Sequence, residues 1–471
     1  MPMAWASVAA APPKSLTPEQ RMQELREFYD SQPLRAIVQE TLGLRAIPGT
    51  TGGNAGLIEH AVVIGIDTEA WTRNTNEMTE IGLAVYERKE MMEVQREKNL
   101  WEIENGWFVD GHDHLGPFGE QLLMKMRFYH LRIVENAHLK TNAKWMKGAE
   151  GNRFGHSRFV TFAEARDILD SLFDQPIVSD DPKLQGCKKP IILVGHAISH
   201  DRLNCKNHGL DYDWFKHGTI VREVDTQPLA KATGTWFDFA APNNEVGLAK
   251  LTKTLGFLHE DPHTACNDAA RTVISAIQMV LPRESRESLE TDMQTVARYI
   301  EQRSKQVAGP SWGSALYCTR CGGRDHENKD EGNRCAERVY CRACAQHDWF
   351  DDKENSDDSF GSVGEVKETE EYWETHIEEC CLHIAEYNAW VRRCNDATRK
   401  RKPLPPGPPE CSHPGSNTIL TSTWSYTPSH PSATAQSSGG GGRRVRRHVG
   451  SQKSELLGKN WRRGDDGHFN W

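Results

Sequence analysis

A mixed α/β domain over residues 60–283 is the fold class that this 471-residue chain predicts, and three observations carry it. Short apolar runs alternate with segments of helical periodicity from residue 60 to about residue 281. Two of those runs end directly in carboxylates, as a ligand site at the ends of sheet strands requires. Beyond the domain the composition changes twice, first to paired cysteines and then to Pro, Ser, Gly and Arg.

Residues 1–59 read as an N-terminal helix and linker. In "SLTPEQRMQELREFYDS" (15–31) Thr17 is the N-cap, Pro18 suits the first helical position and Gln20 closes a capping box. Residues 49–56, bounded by glycines, read as a flexible connection. Strands are expected at 62–66, 80–86, 129–134, 191–194 and 220–224, and helices at 162–173, 198–207, 247–255 and 265–280. The charged, tryptophan-containing stretch 88–125 reads as an insertion between two strands. Leu289, Met293, Val296 and Ile300 recur at helical spacing and predict a connecting helix within 284–306. A cysteine-rich module follows at 307–350, then an acidic linker and helical segment at 351–395. Residues 396–471 hold too little apolar content to bury a core, so a disordered basic tail is expected.

The net charge of −9 does not advertise a nucleic-acid binder, but it averages over opposed local runs. "DDKENSDD" (351–358) is acidic, whereas "RKRK" (399–402) and "GRRVRR" (442–447) are basic. The start, "MPMAWASVAAAPPKS", lacks the basic segment of a secretory signal, and no apolar run is long enough to span a bilayer. An intracellular protein, cytoplasmic or nuclear and without a membrane partner, is the expectation. Close CxxC pairs among twelve cysteines then favour metal over disulfide.

In "HAVVIGIDTEAW" (60–71) Asp67 and Glu69 share one face of an extended strand, about 7 Å apart, and two like charges aimed at one place call for a cation. With 66 acidic residues in the chain, roughly two D-x-E patterns arise by chance, so the pair needs corroboration. "IILVGHAISHD" supplies it: another apolar strand, then a helix whose first turn carries Asp201. In "DPHTACNDAARTV" His263 precedes Asp268 by five positions, about 140° apart on one continuous helix. Pro262 instead places His263 at the helix entrance, with Asp268 pointing inward from the second turn. His196 and His200 read as packing or hydrogen-bonding residues, with substrate phosphate as the alternative role, and Asp225 reads as structural.

Four carboxylates and one histidine in this order resemble the DEDDh exonuclease family: "DTE" as the first motif, "GHAISHD" as the second and "HTACNDA" as the third, with H-x4-D intact. "VDTQPLA" and "GLAKLTKTLGF" fit as secondary features. "TEIGLAVYE", "HLRIVENAHL" and "FGHSRFV" look like a fungal branch of that family. The resemblance implies a ribonuclease H-like fold and removal of nucleotides from a 3′ end of single-stranded nucleic acid, RNA favoured over DNA. Asp67, Glu69, Asp201 and Asp268 would then hold two Mg²⁺ or Mn²⁺ ions, and His263 would accept the proton of the attacking water.

Cys318, Cys321, Cys341 and Cys344 are spaced C-x2-C-x19-C-x2-C and predict one structural zinc of zinc-ribbon type. Cys335 and His326 are spare ligands. "HIEECCLH", with His376, Cys380, Cys381 and His383, is a weaker grouping for which no second metal is expected. The leading reading is a 3′ to 5′ exonuclease whose zinc module or tail helps to hold substrate or a protein partner. The alternative is an adaptor that keeps the nuclease fold for binding RNA or protein; an endonuclease or integrase on the same fold is a third class.

Overall fold

Six strands and thirteen α-helices follow one another along the described residues of this computed structural model, which are 16–49, 53–105, 113–139, 147–207, 209–238, 244–328, 335–346 and 376–407. Three helices come first: α1 (Pro18–Asp30), α2 (Leu34–Thr41) and α3 (Gly53–Glu59). The Thr17–Gln20 capping box of α1 is formed in both directions. Then come β1 (Val62–Ala70), β2 (Met78–Glu87), α4 (Arg88–Asn105), α5 (Glu120–Leu123), β3 (Arg127–Ile133), β4 (His156–Val160), α6 (Phe162–Phe173), β5 (Ile191–Gly195), α7 (Ser199–Lys206) and β6 (Ile220–Asp225). Four helices follow: α8 (Thr226–Ala232), α9 (Leu248–Thr254), α10 (Ala265–Val280) and α11 (Met293–Gln306). Two more, α12 (Arg342–Gln346) and α13 (Leu382–Arg399), lie in the cysteine-rich region.

The sheet order is β4-β3-β2-β1-β5-β6. β1, β2 and β3 form an antiparallel meander, and β4, β5 and β6 each pair in parallel with their neighbour. Side-chain alternation splits β1 between two cores. Val62, Ile64 and Ile66 face α6 and Trp214, whereas Val63 joins the side occupied by α10. Asp67 and Glu69 continue the Val63–Gly65 set, so both emerge on the α10 side.

Two glycines let α10 lie directly on that face. A Cβ at Gly65 would meet Val273 Cγ2 at 2.2 Å, and one at Gly82 would meet backbone atoms of Ala265 and Cys266 at 2.0–2.3 Å. Gly82 is the cross-strand partner of Asp67. The first turn of α10 is therefore pressed onto the sheet beside the D-x-E pair.

Several elements depart from expectation. Residues 53–56 of the expected connection 49–56 are helical, as the start of α3. The edge strand β4 was not anticipated, because "HSRFV" is too short and too charged to stand out from its surroundings. The insertion 88–125 starts as α4. Leu289 is fully exposed, and the connecting helix begins only at Met293, capped by Asp292. α13 runs past the expected start of the tail at residue 396. The acidic run 351–358 and the basic run 442–447 lie outside the described residues. Among the described residues no helix is long and apolar enough to cross a membrane.

Candidate active site and cysteine clusters

Three separate segments deliver the expected acids to the end of β1. Thr68 lies between the D-x-E pair and points to the opposite face of the strand, where its N–H and Oγ1 both donate to Asp201 Oδ1, at 2.9 and 2.8 Å. Asn204 Nδ2 in turn donates to Thr68 Oγ1 at 2.9 Å, so α7 is stitched to β1 at the motif itself. Asp225 accepts from the backbone N–H groups of Ala197, Ile198 and Gln227, which holds the turn between β5 and α7, with Ala197 at φ +59°.

His263 sits just ahead of α10 at φ +59°, and its N–H donates to Asp268 Oδ2 at 3.2 Å. Asp268 occupies the first turn, not the second. The unusual backbone of this entrance is held from outside. Thr264 Oγ1 donates to Gly148 O, and Asn267 Nδ2 donates to Gly151 O and to Asp261 O. Such anchoring offsets the cost of a left-handed conformation at a non-glycine residue.

Glu69, His263 and Asp268 come together with ligand atoms all within 4.8 Å of one another. His263 Nδ1 is 3.5 Å from Glu69 Oε1. The cluster opens towards Glu69 and His263, whose side chains are 20% and 33% exposed, while Asp268 is 9% exposed. His200 is exposed, and His196 donates or accepts at Thr226 Oγ1, 2.8 Å away, with burial lowering its pKa to about 4.

Burial sets the electrostatics of the acids. Desolvation raises Asp67 well above the carboxylate range, with repulsion from Asp201, Asp268 and Glu69 adding to it. Burial likewise pushes Asp201 up to about 7 and Asp268 up to about 8, and raises Glu69. His263 moves up because Glu69 accepts its hydrogen bond. Asp67 Oδ2 and Asp268 Oδ1 are buried without a hydrogen-bond partner among the described residues. Buried carboxylate oxygens left without partners fit a divalent cation, whose preferred ligands are oxygens of this kind.

Residues 62–279 match a family model described as DEDDh_C, DNA polymerase III subunit epsilon-like, C-terminal domain. The match supports a DEDDh exonuclease domain. No curated protein matches the chain. A DEDDh domain implies a nucleic-acid substrate and dependence on divalent metal, which the unpartnered oxygens of Asp67 and Asp268 suit.

Sequence reading missed several residues that support this acid cluster. Glu80, 2% exposed, lies opposite Glu69 on β2. Its Oε2 accepts from His130 Nε2 at 2.9 Å and from Ala265 N–H at 3.2 Å, and His130 Nδ1 pairs with Ser157 Oγ at 2.7 Å. This buried chain joins β4, β3 and β2 to the start of α10. His259 Nε2 lies 3.4 Å from Asp268 Oδ1. Arg271 Nη1 donates to His259 Nδ1 at 3.0 Å, which holds the ring beside Asp268 without a hydrogen bond to it. Burial lowers His259 to about 3, so the ring is neutral. An acid-bearing strand next to D-x-E was the available signal for Glu80; nothing local marks His130 or His259.

The cysteines require a correction. Cys318, Cys321, Cys341 and Cys344 do not gather around one centre. Cys318 and Cys321 meet His326 and Cys335, while Cys341 and Cys344 meet His376 and Cys381. The spare ligands Cys335 and His326 thus complete the first group, and the grouping judged weaker completes a second. The physical reason is local: Gly322 at φ +75° turns the first pair back on the residues that follow it, with Gly322 N–H donating to Cys318 O at 2.8 Å. Cys380 stands outside both groups, 3.7 Å from Tyr317 Oη.

Proposed function

We propose that the domain beginning at residue 60 is a metal-dependent 3′ to 5′ exonuclease acting on single-stranded nucleic acid, with RNA favoured over DNA. The observation that carries this reading is the cluster of Glu69, His263 and Asp268, beside which Asp67 is buried with an unpartnered oxygen and feels the charges of Asp201, Asp268 and Glu69. The resemblance of the three motifs to DEDDh enzymes supports the polarity.

Asp67, Glu69, Asp201 and Asp268 would hold Mg²⁺ or Mn²⁺, which when bound supply charge stabilisation at the phosphodiester and lower the pKa of water. Thr68 and Asn204 orient Asp201, and the His263 N–H orients Asp268. With Nδ1–H of His263 turned to Glu69, Nε2 is the atom that takes a proton from the attacking water. Glu69 then stabilises the resulting imidazolium.

End-labelled RNA and DNA strands of one sequence, offered with Mg²⁺ or Mn²⁺, test the reading. Laddered loss from the 3′ end, faster on RNA, is expected, with a loss of at least about a hundredfold in Asp67→Asn and His263→Ala. A ladder undiminished in both variants rejects the assignment, and cutting of a closed circular strand would point to an endonuclease.

A further inference from the structure

We propose that the chain holds two separate structural zinc ions, and that the second one seats helix α13 on the loop that follows the Asp67–Glu69 pair. Each ion would have three thiolates and one imidazole. The first takes Cys318, Cys321, His326 and Cys335; the second takes Cys341, Cys344, His376 and Cys381.

The spacings within the clusters fit a tetrahedral ion. Zinc–sulfur and zinc–nitrogen bonds of ordinary length place two sulfurs about 3.8 Å apart and a sulfur and a nitrogen about 3.6 Å apart. Cys344 Sγ lies 3.5 Å from Cys381 Sγ and 3.6 Å from His376 Nε2, and Cys321 Sγ lies 3.4 Å from His326 Nε2. A disulfide requires about 2 Å, so the Cys344–Cys381 pair is not one. Thiolate and imidazole together select zinc over the hard cations of the acid cluster.

The surroundings are those of metal ligands. Gly323 N–H donates to Cys321 Sγ at 3.3 Å, as in a metal knuckle. His326 Nδ1 pairs with Asp325 Oδ1 at 2.7 Å, which leaves Nε2 facing the sulfurs and orients the ring. Cys341, Cys344 and Cys381 are at most 2% exposed. Three thiols in one buried cluster have little to hold them together except an ion.

The two centres are joined and fastened to the sheet. Ile377 N–H, next to the ligand His376, donates to Arg320 O inside the first knuckle at 2.9 Å. Arg324 makes two 2.7 Å hydrogen bonds to Glu164 of α6, and Ser314 bridges the edge strand at Phe159.

α13 starts at the residue after the ligand Cys381. One of its faces carries Ala385, Glu386, Ala389 and Arg392. Ala389 packs with Trp71 and Leu139, Glu386 pairs with Arg73, and Arg392 Nη1 meets Glu77 Oε1 at 2.5 Å. Trp71, Arg73 and Glu77 belong to the β1–β2 loop, and Thr79 Oγ1 at its far end donates to Glu69 O. The second ion therefore fixes the start of a helix that braces the loop bearing on Glu69.

Metal content of the full-length chain tests the proposal without reference to catalysis. Two zinc ions per chain are expected, with one lost in Cys335→Ser, the other lost in Cys381→Ser, and both lost in the double variant. Titrating metal-free wild type with Co²⁺ should saturate at two equivalents with the spectrum of three sulfurs and one nitrogen, a readout that needs no variant to fold. Amide exchange in residues 71–77 should quicken by about tenfold or more in Cys381→Ser and in Ala389→Asp, which keeps both ions, but not in Cys335→Ser. A single zinc per chain that survives both single substitutions, or a Co²⁺ spectrum of four sulfurs, overturns the two-centre assignment. Equal exchange of 71–77 in Cys335→Ser, Cys381→Ser and Ala389→Asp overturns the seating of α13.

Discussion

Glu80 shows how much a single buried acid can organise. One carboxylate oxygen serves both His130 and the first N–H of α10, so the side chain ties the middle of the sheet to the helix that carries Asp268. Replacing it by alanine leaves His130 Nε2 and the Ala265 N–H without this partner, each costing about 1–3 kcal/mol. Glu80→Ala is expected to lower unfolding free energy by about 3 kcal/mol in urea titration. A change below about 0.5 kcal/mol would mean that water or another group takes over both contacts. The residue pattern of 80–86 marks a strand, but nothing marks Glu80 as the partner of a histidine fifty residues away.

At the scale of elements, the decisive contact is α10 against β1 and β2. Helix 265–280 is legible from its apolar periodicity, and its bounds coincide with the structure. Its height above the sheet is not, because it depends on the missing side chain at Gly82. A methyl group there would collide with the backbone of Ala265 and Cys266, which has no rotamer to yield, whereas at Gly65 it meets mainly a Val273 methyl. Gly82→Ala should therefore displace His263 and Asp268 together and cut turnover by about a hundredfold in a folded protein. Gly65→Ala should cost stability by about 1–3 kcal/mol with a smaller loss of turnover. Steady-state rates beside circular dichroism and denaturation midpoints separate the two, and equal turnover losses would contradict the assigned role of Gly82.

For the whole molecule, the acid cluster makes stability depend on pH and on cations. Asp201 and Asp268 keep their protons to about pH 7 and about pH 8 in the folded chain, whereas an unfolded chain releases them near about pH 4. Between these limits the folded state binds more protons, so stability falls as pH rises. His263 acts in the same direction, its raised pKa adding stability that is lost as pH climbs through the folded value. His196 and His259, with pKa values lowered to about 4 and about 3, oppose this only below about pH 6.5, where the unfolded chain protonates. Protein freed of Mg²⁺ and Mn²⁺ but retaining zinc should lose about 1–2 kcal/mol between about pH 7 and pH 8.5. Added Mg²⁺ or Mn²⁺ should restore it, and Asp268→Asn should flatten the slope. A metal-free midpoint that rises over that interval would contradict the raising of these acids by burial.

The sequence by itself determined the order of strands and helices through most of the α/β domain. It also singled out Asp67, Glu69, Asp201, His263 and Asp268, because strand alternation and helix entry act over a few residues. It paired the cysteines within each CxxC for the same reason. Only the tertiary structure decided which pair joined which distant ligand, since Cys341 and Cys344 find His376 and Cys381 more than thirty residues away. The same holds for Thr68 holding Asp201 and for α13 bracing the β1–β2 loop. Such contacts are set by how close two elements can pack, and that distance is written in glycines and buried polar pairs whose partners lie elsewhere in the chain.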